Sequence, residues 1–485
     1  MSTLEVTKPK TNFSMSKDTK SLNTEYTPSP EFSCATLFDL APVCKKPIEL
    51  AFTAEKVSSD GGLLLLREVE AQSGILKAIA ECINEDRHPG YIQHTISSML
   101  TQRVFQIAAG YEDANDCNTL RDDMVFKICS NVLPESGNSL SSQPTMSRFE
   151  NSPSRSELYK IAVAFVDNFI QSYSEEPSII ILDCDDTNSN TYGQQQLSLF
   201  NEYYGEYCYM PLHIYEGLSG KLITTILKPG RRSKTADVFS ILQRIIEHLG
   251  KTWKNTLIIV RGDGHFCSKE LMAWAKDKER VHFLTGLTGN KLLKDLASTT
   301  IESAERQFKS TGKPVKRYHS FEYAAGTWSE KQRVIVKVEV SEKGTNIRYV
   351  VTDIRFIRTK ALYEQGYCAR GMMELYIKEN KTHLESDRMS CNRFEANQFR
   401  LFLHSAAYVL LHNLRTETLK TTEYATATMK TIRLRLIKVG TYVKEMKTRI
   451  KIEFPKQFPD MEVIANCLSI FTELSDAFSK KTHEV

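Results

Sequence analysis

Four acids stand where chemistry could be done. Asp183, Asp185 and Asp186 close the apolar run SIIILDCDDT, and Asp263 closes a second run, NTLIIVRGDG. Short apolar runs of this kind read as buried strands, so each carries its carboxylates out of the core at its end. Carboxylates gathered at the exits of neighbouring strands repel one another unless a divalent cation sits between them, and an all-oxygen ligand set suits Mg²⁺. The plain alternative is that Asp ends strands because it favours turns. Two such ends, both after apolar runs, favour the metal.

A third component is the segment YCARGMMELYIKENK. At about 100° per residue, Tyr367, Arg370, Glu374 and Lys381 share one narrow helix face, while Met372, Met373, Leu375 and Tyr376 lie apart from it. A carboxylate flanked by two cations and a phenol suits a metal ligand set beside phosphate-binding groups. Its alternative is an exposed face with ordinary Arg–Glu pairing.

The elements that must position these groups follow from periodicity. SIIILDCDDT is followed by YCYMPLHIYEG and KLITTILKPG, two β-rich runs joined through Gly217 and Gly220 that read as a hairpin. TADVFSILQRIIEHLG places Val238, Ile241, Leu242, Ile245, Ile246 and Leu249 on one helical face. NTLIIVRGDG, a helix over about 268–278 and the strand VHFLTGL complete the order strand, strand, strand, helix, strand, helix, strand. Residues 286–360 are a long stretch that carries the strand-like RVIVKVEV and IRYVVTDI. Upstream, TISSMLTQRVFQIAAGY and the capped run SSQPTMSRFEN give residues 48–155 the texture of a small helical domain. The remaining divisions are a disordered tail at 1–47, the strand-and-helix stretches 156–285 and 361–415 on either side of 286–360, and a basic hairpin with a C-terminal helix at 416–485.

Composition bounds the partners. Lys+Arg number 63 against 59 Asp+Glu, so any nucleic-acid site must be a local patch. The strongest lies between Ala425 and Lys456, where nine Lys/Arg face two Glu. Read as a strand, Arg433 and Arg435 present one cationic face and Leu434 and Leu436 the other; the alternative is a solvated edge whose lysines deter aggregation. A second basic point, Lys228, Arg231, Arg232 and Lys234, follows the first acids. The apolar stretch LFLHSAAYVLLHNL is too short to span a membrane. Eleven cysteines without a CxxC pair, and an N-terminus without an apolar signal block, point to a reducing cytoplasm.

The spacing Y-x2-R-x3-E-x6-K resembles the signature of a class of bacterial insertion-sequence DDE transposases. Tyr367, Arg370, Glu374 and Lys381 fit it without a gap. GYEDANDCNTLRDD, SQPTMSRFEN, LDCDDT, YYGEYCYMPLHIYEG, RGDGHF and DRMSCNRFEANQFRL resemble successive blocks of the insertion-sequence family called, in words, thirteen-eighty. The resemblance spans roughly residues 48–415. It implies an α/β fold: a ribonuclease H-like catalytic domain with a β-rich insertion, preceded by the small helical domain. It implies Asp185, Asp263 and Glu374 as the catalytic, metal-binding triad, with Asp183 a further candidate ligand and Mg²⁺, or Mn²⁺ in its place, as cofactor. Tyr367, Arg370, Lys381, Arg231, Arg232, Arg433 and Arg435 are the expected DNA contacts. The implied partners are double-stranded DNA, as terminal inverted repeats and target, and a second copy of the chain. The implied setting is a bacterial cytoplasm, with no membrane. The helical domain is expected to read the element ends, with SQPTMSRFEN as a contact helix.

Two rivals remain at this level. IIILDCDDT is similar to the opening motif of haloacid-dehalogenase-type phosphatases, with Asp183 as nucleophile and Asp185 as general acid. The other is a domesticated, inactive DNA-binding protein, which the presence of all three triad acids does not favour.

Overall fold

The computed structural model describes residues 42–46, 48, 54–231 and 235–483, with side chains described as far as 473. The expected tail therefore lies almost wholly outside the described residues, as does Arg232. The chain divides into two compact units, one ending at Glu55 and one running from Lys56. In the first, the described residues form one bridge between Val43 and Lys46.

The second unit opens on strand β1 (Val57–Ser58) and a series of helices. Thr95 caps Ile96–Ala109 by accepting from the Ser98 amide, and Gly110 ends it in the left-handed region at φ 92°. Ser154 and Glu157 form a reciprocal capping box at the start of Arg155–Gln171. SQPTMSRFEN forms the helix Gln143–Glu150, and it turns Met146, Phe149 and Glu150 inward to packing. These helices share one core with the long, almost wholly buried helix Phe394–Asn413. Phe149 meets Phe399 edge-on at 5.3 Å, and Phe165 stacks on Phe402 at 5.5 Å. The expected N-terminal helices thus bury their apolar faces against a distant segment, not against one another alone.

The sheets follow. Strands β2 (Ile179–Asp186), β3 (Ser189–Asn190), β4 (Leu199–Asn201), β5 (Glu206–Tyr209), β6 (Leu212–Glu216) and β7 (Leu222–Ile226) precede the helix Thr235–Thr252. Then come β8 (Leu257–Gly262), the helix Lys269–Lys276 and β9 (Val281–Leu287). Strands β10 (Val315–Tyr323), β11 (Gln332–Ser341) and β12 (Gly344–Thr352) form a meander, and β13 (Thr441–Glu445) and β14 (Ile450–Glu453) a late hairpin. Eight strands make a mixed sheet in the order β10-β11-β12-β9-β8-β2-β6-β7. Within it β2, β8 and β9 are parallel neighbours, and β6 returns antiparallel to β2. The elements read from periodicity over 178–287 occur in the expected sequence as β2, β6, β7, the helix Thr235–Thr252, β8, the helix Lys269–Lys276 and β9. The short strands β3, β4 and β5, which form a sheet of their own in the order β3-β5-β4, are additional to it; the fold is mixed α/β.

Within the β-rich stretch 286–360, β12 pairs with β9, so the meander extends the central sheet. One expectation changes. The basic hairpin begins later than alternation predicts. Arg433–Ile437 is a wide helical turn, and the hairpin starts at Thr441 and pairs with β1. Burial explains the difference. Ile432, Leu436 and Ile437 are buried at helical spacing, whereas Leu434, which a strand would put beside Leu436, is 67% exposed.

Candidate active site

Register places the acids. In the parallel pair β2 and β8, Cys184 stands opposite Gly262, so Asp185 and Asp263 are the next residues out on neighbouring strands. The three β2 acids then part company. Asp183 is fully buried and accepts from both Nε and Nη2 of Arg261, at 2.5 and 2.6 Å. On the opposite strand face Asp186 takes the Lys228 ammonium on both oxygens at 2.7 Å. Asp185, on the same face as Asp183 but nearer the exit, accepts from Arg370 Nη1 at 3.0 Å.

This sorting corrects Asp183 as a metal ligand and as the phosphatase nucleophile. Both of its oxygens are committed to Arg261, whose Nη1 is in turn anchored on the Gly366 carbonyl at 2.5 Å, and no solvent reaches it. The connection from β2 to β6 is also antiparallel, where the phosphatase fold needs a crossover helix. Asp183→Asn keeps the shape but weakens a buried charged pair. It is expected to lower unfolding free energy by about 1–3 kcal/mol, read from urea melts; an unchanged midpoint would remove this anchoring role.

Electrostatics single out Asp185. Burial pushes its carboxyl up to about 6, against Arg370, and the neighbouring Asp263 adds to the rise. Asp263 caps the short turn Gly264–Phe266 with Oδ1, accepting from the His265 amide at 2.8 Å. Gly286 on β9 makes room for this turn. A Cβ there would lie 2.7 Å from the Gly264 nitrogen and 2.9 Å from the Tyr367 hydroxyl, so glycine lets the phenol close over the Asp263 corner.

The signature segment is not one regular helix. Cys368–Arg370 is a tight turn, Gly371–Lys378 is α-helical and Glu379–His383 is a wide turn, so a constant angle per residue does not describe it. Three of its four members still converge on the strand exits. Arg370 reaches Asp185, Tyr367 lies within electrostatic reach of Asp263 and Arg370, and Lys381 donates to the Asn188 carbonyl at 2.5 Å and Thr187 Oγ1 at 3.3 Å. Glu374 stands between Arg370 and Lys381 in the chain, exposed and without a hydrogen bond or ion pair among the described residues.

Two carboxylates side by side, with a guanidinium already drawn to them, have the donor chemistry of a divalent-cation site. Among the described residues, no group of three or more His, Cys, Asp or Glu side chains stands close enough to hold a metal ion. Two members of the expected triad are together; the third, Glu374, is on the adjoining helix.

The other expected DNA contacts are dispersed. Arg231 is exposed beyond β7. Arg433 is turned inward, donating to the Ala108 and His383 carbonyls at 2.9 and 2.7 Å, and burial pushes its guanidinium down. Arg435 is half exposed and pairs with Asp460 at 3.1 Å. The two therefore do not form the cationic strand face that alternation predicts, because their backbone is helical.

Sequence reasoning missed Arg261, Gly286 and the pairing of Lys228, none of which has a local signal. It also missed a cavity of about 650 Å³ beside Lys381, with Asn188, Asn190, Tyr192 and Gln195 in its wall.

Among solved structures the chain is similar to the cryo-EM structure of a piggyBac transposase synaptic complex with hairpin DNA. The likeness covers 78% of this chain and 80% of that one at 14% identity and a TM-score of 0.38, too distant to carry an argument. No curated protein matches the chain. The model of the family described as transposase DDE domain, group 1, matches residues 40–476, and with most of its length inside that match the chain belongs to this family.

Proposed function

We propose that the protein is a metal-dependent DNA strand transferase of the thirteen-eighty insertion-sequence type, with a ribonuclease H-like catalytic region. The observation that carries this reading is the meeting of Asp185, Asp263, Tyr367, Arg370 and Lys381 at the exits of β2 and β8. Asp185, Asp263 and Glu374 would hold Mg²⁺, or Mn²⁺ in its place, which supplies Lewis-acid activation of the attacking oxygen and stabilisation of the leaving one. Arg370 and Lys381 hold backbone phosphates beside the acids, and Tyr367 donates a hydrogen bond to one of them. Arg231 and Arg232 extend the contact along the DNA. The same site serves both cleavage at the element's terminal repeats and joining of the freed 3′-hydroxyl to target DNA. Because two ends must be handled together, the active form is at least a dimer, working in a bacterial cytoplasm on the nucleoid. The N-terminal helices and the 416–485 region are the proposed grip on the element ends. Among the described residues no helix is long and apolar enough to cross a membrane.

The test is Mg²⁺-dependent cleavage of a plasmid carrying the DNA that flanks this gene. Cuts at the element ends that vanish with Asp185→Ala are the expected result. An intact plasmid under all metal conditions, with duplex DNA left unbound, would remove the reading.

A further inference from the structure

Each acid at the end of β2 is answered by a cation of the chain itself, but the three pairs differ in how closed they are. Asp183 and Arg261 keep 0% and 1% of their side-chain surface, and Asp186 and Lys228 keep 14% and 7%. Asp185 and Arg370 keep 20% and 17%, so this pair is the most open of the three. Arg370 is also within electrostatic reach of Asp263. Its guanidinium thus sits on Asp185 with the Asp263 charge within reach.

Arg370 is the same group that is offered to a DNA phosphate, and the two uses compete. A phosphodiester oxygen and the Asp185 carboxylate want the same N–H donors. A guanidinium held 3.0 Å from Asp185 Oδ2 and a divalent cation on that carboxylate would repel each other.

We propose that Arg370 is an exchangeable counter-ion. Seated on Asp185 it keeps a divalent cation from loading, and a DNA phosphate that draws it away opens that carboxylate to the metal. The inference rests on the transposase reading above and adds an order to it, DNA first and metal second. Arg370 acts here as a positioning residue, through Asp185, in addition to its phosphate contact.

The test is Mn²⁺ binding without DNA, read from the electron paramagnetic resonance signal of the free ion. Arg370→Gln is expected to bind Mn²⁺ about tenfold more tightly than wild type, as removal of a contacting like charge predicts. The double variant Arg370→Gln/Asp185→Asn should lose that gain, and Arg370→Lys, which keeps the charge, should stay near wild type. Equal or weaker binding by Arg370→Gln overturns the proposal. If that variant does not fold, the wild type decides. Duplex DNA should raise the Mn²⁺ binding that is lost in Asp185→Asn, and a duplex with an uncharged methylphosphonate backbone should not; no rise with the phosphate duplex overturns it. A metal gain in Arg370→Gln with no DNA cut by any form would uphold the counter-ion and remove the transposase reading. Cleavage by wild type with no metal gain would remove the counter-ion alone.

Discussion

Glu150→Gln is expected to cost about 3–5 kcal/mol of stability, the penalty for leaving buried guanidiniums without their carboxylate. Glu150 receives Arg103 Nε at 2.6 Å and Arg400 Nη1 at 2.9 Å, and none of the three side chains is more than 5% exposed. The triad joins three helices, Ile96–Ala109, Gln143–Glu150 and Phe394–Asn413, so its loss loosens the packing behind the sheet. Burial pulls the Glu150 carboxyl up, but Arg400 and Arg103 outweigh it and hold the group down to about 2, from an ordinary 4.5. A depressed carboxyl stabilises the fold above its unfolded value and loses that contribution as pH falls from about 4.5 toward 2. The contribution is on the order of 3 kcal/mol. Urea melts at pH 7 and pH 3 check this: wild type should weaken over that interval more steeply than Glu150→Gln. Parallel losses in both proteins would show that the triad is not the acid-sensitive element.

The second large effect is on chemistry. Asp263→Ala and Glu374→Ala should each lower cleavage at least about a thousandfold, roughly 4 kcal/mol of transition-state stabilisation, while duplex DNA binding stays within a few-fold. The two variants differ in what else they touch. Asp263 also caps the Gly264–Phe266 turn, so its loss carries a modest stability cost. Glu374 is exposed and has no partner among the described residues, so its variant should melt like wild type. Full activity in Glu374→Ala would return that residue to the role of a surface helix acid and would break the triad.

Much of the fold was legible because its signals are local. The succession β2, β6, β7, β8, β9 follows from apolar runs and one amphipathic helix, each readable within a window of ten to twenty residues, whereas β3, β4 and β5 are too short to leave such a signal. The acids at the strand ends and the Y-x2-R-x3-E-x6-K spacing were visible for the same reason. The region around Arg433 misled because TIRLRLIK alternates as a strand does, while burial of Ile432, Leu436 and Ile437 holds it helical.

Residue types and spacing alone determined that strands would deliver carboxylates to one edge and that the Y-x2-R-x3-E-x6-K segment would carry cations and a phenol. Only the tertiary structure decided which acid does what. Asp183, Asp185 and Asp186 are nearly equivalent in the chain, and they become different because their partners arrive from 78, 185 and 42 residues away. Strand register puts Arg261 against Asp183 and leaves Asp185 beside Asp263. A register is a relation between segments, fixed by burial on both faces of a sheet, and no single segment encodes it.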